Sequence, residues 1–432
     1  MLLTFVILSW MSIWLAYRDR GNSHVPLTVY CVSYSITTVI GSTIISIQHG
    51  GELWRLYGGG IDTSLLTDYG SFKYLFLLFS PLVVCPFVFL LFSRLQTPRF
   101  LSRPVSLLTS IDADIYSFSI VLLLLAGYCL FAMYVRGFLT PSSLIQAQGD
   151  YVTSIRLREQ IFNSMGRTFF GLLYMALPTL AHFALYKALR MNSLAWRVLF
   201  LSVSAIFSFL VLLTFQKSLL LLFLLSLAIG LVALGRVRRW ILAVASLAAF
   251  LLLNAIQIFV LRDWQALQSL YLVIFRMANS FPFYVNLYPR ILPHTGIDLG
   301  LDIFGLAPKP NEVEAVFNYM YPGITWAQGA APAPAHLAAY AQAGIWFVIA
   351  TLAFIGWYLS LVARLEPDTP VRYVLFVQGL VGAYYLTQIA VRGFLTTSYG
   401  LIWVLIPLLL LLGTAQLLKY ATMNLREMLT WT

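Results

Sequence analysis

Charged residues are scarce in this chain: they make up 10% of its 432 residues, whereas 60% are hydrophobic. A soluble globular domain carries about 25% charged residues and cannot hide this much apolar surface inside one core. The scarcity of charge therefore excludes a water-soluble fold. Apolar runs of about 17 to 25 residues, the length that spans a bilayer, recur along the whole chain. The composition predicts an all-α, polytopic integral membrane protein.

Cysteine and histidine are also rare, with three and five residues respectively. Cys31, Cys85 and Cys129 all lie within apolar runs, so we expect free thiols and no disulfide framework. The histidines are scattered, and no HExxH or Cys/His spacing indicates zinc. The sequence therefore predicts a protein that needs neither a metal nor a cofactor.

The apolar runs predict about eleven membrane-spanning helices, and we expect residues 1–432 to form a single transmembrane domain. The first run has neither a basic leader before it nor a small-residue cleavage site after it, so we interpret it as a retained helix. The predicted spans are 2–17, 25–47, 72–93, 115–135, 166–186, 198–214, 218–235, 240–261, 337–363, 371–391 and 398–418.

The distribution of cations predicts the orientation of these spans, because short loops rich in Lys and Arg stay in the cytoplasm. This rule places the N-terminus outside and the C-terminus in the cytoplasm. The formal net charge of +11 then reflects topology and not nucleic-acid binding. The cytoplasmic connections that support the orientation contain Arg18, Arg20, Arg94, Arg99, Arg103, Lys187, Arg190, Arg197, Arg236, Arg238 and Arg239.

Two segments on the predicted outer side are too unusual to be simple turns. Residues 48–71 are rich in glycine and contain the carboxylate of Glu52; a re-entrant loop and a flexible hairpin at the headgroups both remain open. Residues 136–167 are locally cationic. Arg158 has no obvious acidic partner there, and a guanidinium binds phosphate in a forked geometry. Glu159 is instead placed to form an ordinary helix-surface ion pair with Arg156.

The largest outer segment is a predicted periplasmic loop, 262–336. It begins with apolar residues at three- and four-residue steps, which predict an amphipathic helix that includes Arg276. This helix lies either along the outer leaflet or against the spans. Sequence rich in Pro, Gly and Asn follows and contains Arg290. In a compact protein, a loop of this length is usually functional or disordered.

Three further cations stand at predicted outer ends of helices. The phrase VRGFLT occurs twice, at 135–140 and 391–396, which predicts matching membrane depths for Arg136 and Arg392. The flanking residues do not match, so we infer no internal duplication. Lys217 lies in a tight turn between two spans. A cation at such a position either snorkels to the headgroups or faces a polar cavity.

Two phrases resemble the O-antigen polymerase and ligase families of bacterial envelope assembly. One is QKS at 216–218, at the outer start of a leucine-rich helix, and the other is HLAAYAQAG at 336–344, where the large loop leads into the next helix. The likeness in architecture covers nearly the whole chain. Ligases usually have Asn after the histidine and Arg in the earlier turn, whereas this chain has Leu337 and Lys217. The resemblance therefore favours the polymerase branch.

The resemblance implies a metal-independent glycosyltransferase that acts on oligosaccharide repeats carried by undecaprenyl diphosphate. Such chemistry needs cations on the departing diphosphate and a base for the acceptor hydroxyl. The expected base is His336, with Glu52 and Glu159 in reserve. Further implied partners are membrane lipids, a chain-length regulator protein and a flippase, with no nucleic acid. The expected diphosphate-binding residues are Lys217, Arg276, Arg158, Arg136, Arg392 and Arg290.

Three other functions remain open from the sequence. An O-antigen ligase would transfer the glycan to a lipid core and differs only in its acceptor. A flippase or transporter for lipid-linked sugars would show charges deep within several spans, whereas here they collect at one surface. A metal-dependent lipid-sugar transferase would need a close acidic pair in its first outer loop, and Glu52, Asp62 and Asp68 do not form one.

Overall fold

The structure is a computed structural model in which most of the described residues are helical and short turns and irregular segments join the helices. It carries no strand within those ranges. The described residues are 2–18, 24–47, 71–94, 113–139, 151–214, 217–238, 269–298, 311–321, 331–397 and 399–430, with the single positions 244, 248 and 251.

Helices α1 to α14 account for nearly all of the described chain. Two of them contain a π-helical turn, and α5 is also kinked at Gly166, where φ is +71° and ψ is 170°. In order they are α1 (Leu2–Arg18), α2 (Val25–Tyr34, continued through the π-helical turn Ser35–Val39 into Ile40–Ile47), α3 (Phe72–Arg94), α4 (Ile115–Val135), α5 (Tyr151–Gly171, continued through the π-helical turn Leu172–Ala176 into Leu177–Met191), α6 (Leu194–Leu213), α7 (Lys217–Ala233), α8 (Ser269–Leu287), α9 (Glu312–Met320), α10 (Ala335–Ala343), α11 (Ile345–Ala363), α12 (Pro370–Tyr385), α13 (Val391–Thr396) and α14 (Ile402–Thr430).

Seven of these helices are long and apolar enough to cross a membrane. The stretches lie in α2, α3, α4, α5, α6, α11 and α14, while α1 and α7 contain the shorter apolar stretches Leu2–Leu15 and Ser218–Ala233. The prediction of an all-α, membrane-embedded protein is thus confirmed. Most of the predicted span 240–261 lies outside the described residues.

The chain folds as two compact units. The first unit consists of residues 1–96, 268–364 and 382–396, and the second of residues 97–267, 365–381 and 397–432. The expectation of a single transmembrane domain stays a prediction. Of the predicted loop 262–336, the structure describes 269–298, 311–321 and 331–336, all within the first unit.

Helix α3 is a central element of the first unit and packs against both α1 and α11. The approach to α11 is close, because a Cβ added at Gly356 would lie 2.7 Å from the Val88 Cβ and 2.9 Å from the Cys85 carbonyl oxygen. Small residues permit such backbone approach between membrane helices. Helix α8 packs against α2, and its residues from Met277 to Leu287 are almost entirely buried. Of the two placements expected for the amphipathic helix, this half therefore adopts the one in which it packs against other helices.

Helix α5 forms the core of the second unit, where its residues 169–188 are buried without interruption. It packs against α6 and, through its π-helical turn, against α14. The contact with α14 depends on Gly171, because any Cβ at that position would overlap the indole of Trp403. The sequence LLYMALPTLAHFAL is apolar all round, which is typical of a helix with neighbours on every side.

Candidate functional site

Helix α3 contains a proline that leaves a backbone carbonyl without its usual donor, and a histidine side chain takes that donor's place. Pro81 has no N–H, so the carbonyl of Leu77, four residues earlier, loses its helical hydrogen bond. Nε2 of His336 lies 3.0 Å from this oxygen and must be the donor, since a carbonyl only accepts. The hydroxyl of Tyr34 donates to the next carbonyl, that of Leu78, at 2.8 Å.

The imidazole of His336 is fully buried by these contacts. Its Nδ1 has no hydrogen-bond partner among the described residues. Burial lowers the pKa of His336 to about 3, while the bond to the Leu77 carbonyl acts in the opposite direction. The ring is therefore neutral at pH 7 and carries its proton on Nε2. Its lone pair, on Nδ1, points into the interior of the first unit.

A second polar cluster surrounds the C-terminal end of α10. The helix ends at Ala343, because Gly344 adopts a φ of +77°. The last carbonyls of a helix need donors from elsewhere. The Thr295 N–H donates to the Ala341 carbonyl at 3.2 Å, and the Gly296 N–H donates to the Gln342 carbonyl at 2.9 Å. The segment after α8 is thereby fastened to α10 through its backbone.

His294 lies at the start of this fastened segment and is exposed. Its Nδ1 is 3.2 Å from the Ala341 carbonyl oxygen. The ring stacks on that of Tyr288, with centroids 6.4 Å apart and planes 9° apart, and meets the ring of Tyr340 edge-on at 6.1 Å. The imidazole is thus held by a carbonyl and two aromatic rings, while the residue as a whole remains exposed.

The side chain of Gln342 joins this segment to a buried carboxylate. Its Nε2 donates to Glu312 at 3.0 Å, and its Oε1 accepts from the Asp298 N–H at 3.4 Å. Glu312 begins α9, and Asn311 caps that helix by accepting from the Val313 N–H. Burial raises the pKa of Glu312; the Gln342 hydrogen bond and the nearby Arg392 guanidinium lower it, and the Asp298 carboxylate raises it.

Arg392 forms an ion pair with Asp298 in the same network. The two side chains are only 19% and 11% exposed, so the pair is largely removed from water. A guanidinium in this position compensates two carboxylates, those of Asp298 and Glu312. Its charge is therefore largely engaged within the protein.

Lys73 supports the neighbouring end of α8. Its ammonium group donates to the carbonyls of Val285 at 2.6 Å and Tyr288 at 3.2 Å, and lies 5.2 Å from the centre of the Tyr340 ring. The Tyr340 hydroxyl also donates to the Tyr288 carbonyl, at 2.8 Å. A cation at a helix C-terminus is favourable, because the last carbonyls carry partial negative charge.

The remaining sequence-predicted residues are spread over both units. Arg290 is exposed just after α8, in the first unit. In the second unit, Arg136 is exposed at the end of α4, and on α5 Arg158 is exposed beside the half-buried Glu159. Lys217 and Arg276 belong to α7 and α8, but their side chains lie outside the description, as does all of Glu52. The roles predicted for these residues, for His336 and for Arg392 stay predictions.

Sequence reasoning missed the residues that form the cluster around α10. His294 and Asp298 belong to no recognisable motif, Glu312 lies outside any motif as well, and Gln342, although it is part of the phrase HLAAYAQAG, was given no role. The one local signal was the phrase PHTGID, a polar turn between a proline and a glycine within the large loop.

Comparisons with protein-family models, with curated proteins and with solved structures find no match to this chain.

Proposed function

We propose that this chain is a membrane glycosyltransferase that polymerises undecaprenyl-diphosphate-linked oligosaccharide repeats, as in O-antigen synthesis. The observation that carries the proposal is the network of Arg392, Asp298, Gln342 and Glu312, with His294 beside it. It is built entirely from segments outside the seven apolar helices. Titratable groups so placed are suited to reactions at the membrane surface, where a lipid-linked sugar presents its head group.

The proposed topology comprises eleven spans, with the N-terminus in the periplasm and the C-terminus in the cytoplasm of the inner membrane. The seven long apolar helices and the two shorter apolar stretches agree in position with nine of the eleven predicted spans. In this arrangement the segment 262–336 is periplasmic, so that the polar network faces the compartment in which repeats are joined.

The reaction asks two things of the protein. Negative charge grows on the departing diphosphate and is stabilised by fixed cations, and the attacking hydroxyl must lose a proton to a base. Arg290 is exposed in the first unit, and the guanidinium of Arg392 is paired with Asp298, so that it would bind a diphosphate by sharing its charge with that carboxylate. Arg276 in the first unit, and Lys217, Arg158 and Arg136 in the second, are further candidates for binding a diphosphate.

A transporter is the alternative from another class. Ion-coupled transporters generally place carboxylates near the middle of several spans. Within the seven apolar stretches of the described chain, Glu159 is the one carboxylate, and it lies near the polar start of α5. This distribution favours surface chemistry. An O-antigen ligase has the same requirements as the polymerase and stays the alternative within enzymes.

Deletion of the gene in its native host tests the proposal. We expect the ladder of surface glycan chains to collapse to a single repeat on the lipid core, and the plasmid-borne wild-type gene to restore it. Long glycan that accumulates on the carrier lipid would indicate a ligase, and repeats that remain on the cytoplasmic side would indicate a flippase. A ladder unchanged by the deletion would overturn all three functions.

A further inference from the structure

The exposed ring of His294 has a defined tautomer. Its Nδ1 lies 3.2 Å from the Ala341 carbonyl oxygen, and because a carbonyl only accepts, Nδ1 carries the proton. In the neutral ring the lone pair is then on Nε2. A histidine whose first nitrogen is fixed by a carbonyl presents its second nitrogen as a base of known direction.

We propose that His294 is the catalytic base of the glycosyl transfer, an inference that rests on the proposed function. A base must come within about 2.6–3.2 Å of the hydroxyl it deprotonates. The exposed ring of His294 permits that approach. His336 has no exposed surface, and its Nε2 is committed to the carbonyl that Pro81 leaves without a donor. His336 then acts as a brace between α3 and α10.

The surroundings of His294 hold it in place for this task. The Gly296 N–H donates to the Gln342 carbonyl, and the Asp298 N–H lies 3.4 Å from the Gln342 side chain. These two contacts fix the backbone that follows His294. The rings of Tyr288 and Tyr340 cover two sides of the imidazole. Pre-positioned groups of this kind reduce the entropy lost on reaching the reactive geometry.

The transfer step conserves atoms and charge. The acceptor hydroxyl gives its proton to Nε2 of His294 while its oxygen forms a bond to the anomeric carbon of the donor sugar. The bond from that carbon to the diphosphate oxygen breaks, and its electron pair leaves with undecaprenyl diphosphate. The imidazolium then releases the proton to water, which restores the base. No oxidant, reductant or further reactant is required.

The variant His294→Asn separates catalysis from structure. Its amide nitrogen takes the place of Nδ1 and keeps the donor to the Ala341 carbonyl, but nothing replaces Nε2. The matched control is Thr295→Val, which keeps the neighbouring backbone bond to Ala341 and removes only a hydroxyl that has no partner among the described residues. Each is expressed in the host that lacks the gene, and membrane protein level and glycan ladder are measured.

We expect His294→Asn to accumulate normally and to lower polymerisation by about 100-fold or more, the usual contribution of a general base. Thr295→Val should give the wild-type ladder. A full ladder from His294→Asn would overturn the role of His294 and leave the polymerase intact, whereas failure of the wild-type gene to restore a ladder would overturn the function itself.

A second variant distinguishes a loss of catalysis from a loss of folding. If His294→Asn does not accumulate, His294→Gln is measured in the same way. A ladder lost at a normal protein level supports the proposal. Failure of both variants to accumulate, with Thr295→Val normal, would mean that the ring is a structural element and would overturn the proposal.

Discussion

The two copies of VRGFLT have the same amino-acid sequence but different structures. In the first copy, Val135 ends α4, and Gly137 adopts a φ of +73°. The Gly137 N–H donates to the Tyr134 carbonyl and the Phe138 N–H to that of Met133, which closes the helix. In the second copy all six residues form the helix α13. The same glycine ends one helix and lies inside another.

The two arginines differ accordingly. Arg136 is exposed at a helix end, whereas Arg392 pairs with Asp298 and lies near the buried Glu312. What precedes each copy accounts for the difference: a long apolar helix leads into the first, and the turn that follows Tyr385 leads into the second. A short repeated phrase therefore predicts neither backbone nor role without its surroundings.

The largest expected difference between the copies is in stability. Arg392→Met leaves the carboxylates of Asp298 and Glu312 without their cation and should lower the free energy of unfolding by about 3 kcal/mol. Arg136→Met should change it by less than about 0.5 kcal/mol, because the side chain is exposed. Thermal unfolding of both variants in detergent measures the contrast. Equal losses would contradict the different roles of the two arginines.

A double variant sharpens this result. Removing both charges with Arg392→Met and Asp298→Asn should recover part of the loss, because Glu312 is then the one carboxylate of this network that the missing guanidinium leaves uncompensated. We expect a coupling energy of about 1 to 3 kcal/mol between the two positions. Arg136→Met alone serves as the control for the loss of an exposed guanidinium. Additive losses at Arg392 and Asp298 would show that the ion pair is not a stabilising contact.

The glycines should differ by a smaller amount. Gly137→Ala places a Cβ on a residue of positive φ and should cost about 1 kcal/mol. Gly393→Ala should be nearly neutral, because the new methyl lies 3.2 Å from the flexible Cδ1 of Ile389 and alanine favours the helix. The unfolding midpoint of each variant is the measurement. A larger loss at Gly393 than at Gly137 would contradict the assigned backbone conformations.

The smallest expected effect concerns pH. The pKa of Glu312 is raised by burial above its usual 4.5, so the folded state binds this proton more tightly than the unfolded state. Stability from this group is present below pH 4.5 and is lost as pH rises through the higher folded value. Arg392→Met should raise that pKa further, so that the loss of stability extends to higher pH.

The control for this prediction is Glu312→Gln in the Arg392→Met background. It removes the titrating group and should make the unfolding temperature independent of pH in this range, apart from contributions that the wild type shares. A slope that persists in the double variant would assign the titration to another residue.

The sequence alone was enough to place the long spans. The predicted spans 72–93 and 115–135 agree within one residue with Phe72–Arg94 and Ile115–Val135, because an apolar run of this length has few alternatives to a membrane helix. Breaks within apolar sequence were missed. The predicted span 337–363 is in fact two helices that meet at Gly344, which has a positive φ. Hydropathy cannot predict such a break, because most residues on both sides are apolar.

The candidate site was harder to predict, because it depends on contacts between distant parts of the chain. Arg392 and Asp298 are separated by 94 residues, and Gln342 and Glu312 by 30. Single residues of these types occur throughout the outer loops, and only the folded backbone selects which of them meet. His336, in contrast, was singled out through the phrase HLAAYAQAG. That phrase gave no indication that His336 would donate to the Leu77 carbonyl, which Pro81 leaves without its helical hydrogen bond.

The bond between His336 and the Leu77 carbonyl also has a consequence for synthesis of the protein. The ribosome completes Leu77 259 residues before it reaches His336. During that interval the described donor to this carbonyl is the Ser80 hydroxyl, at 3.5 Å, from the same helix. A chain that stops before α10 therefore never acquires the shorter bond that joins these two distant parts of the first unit.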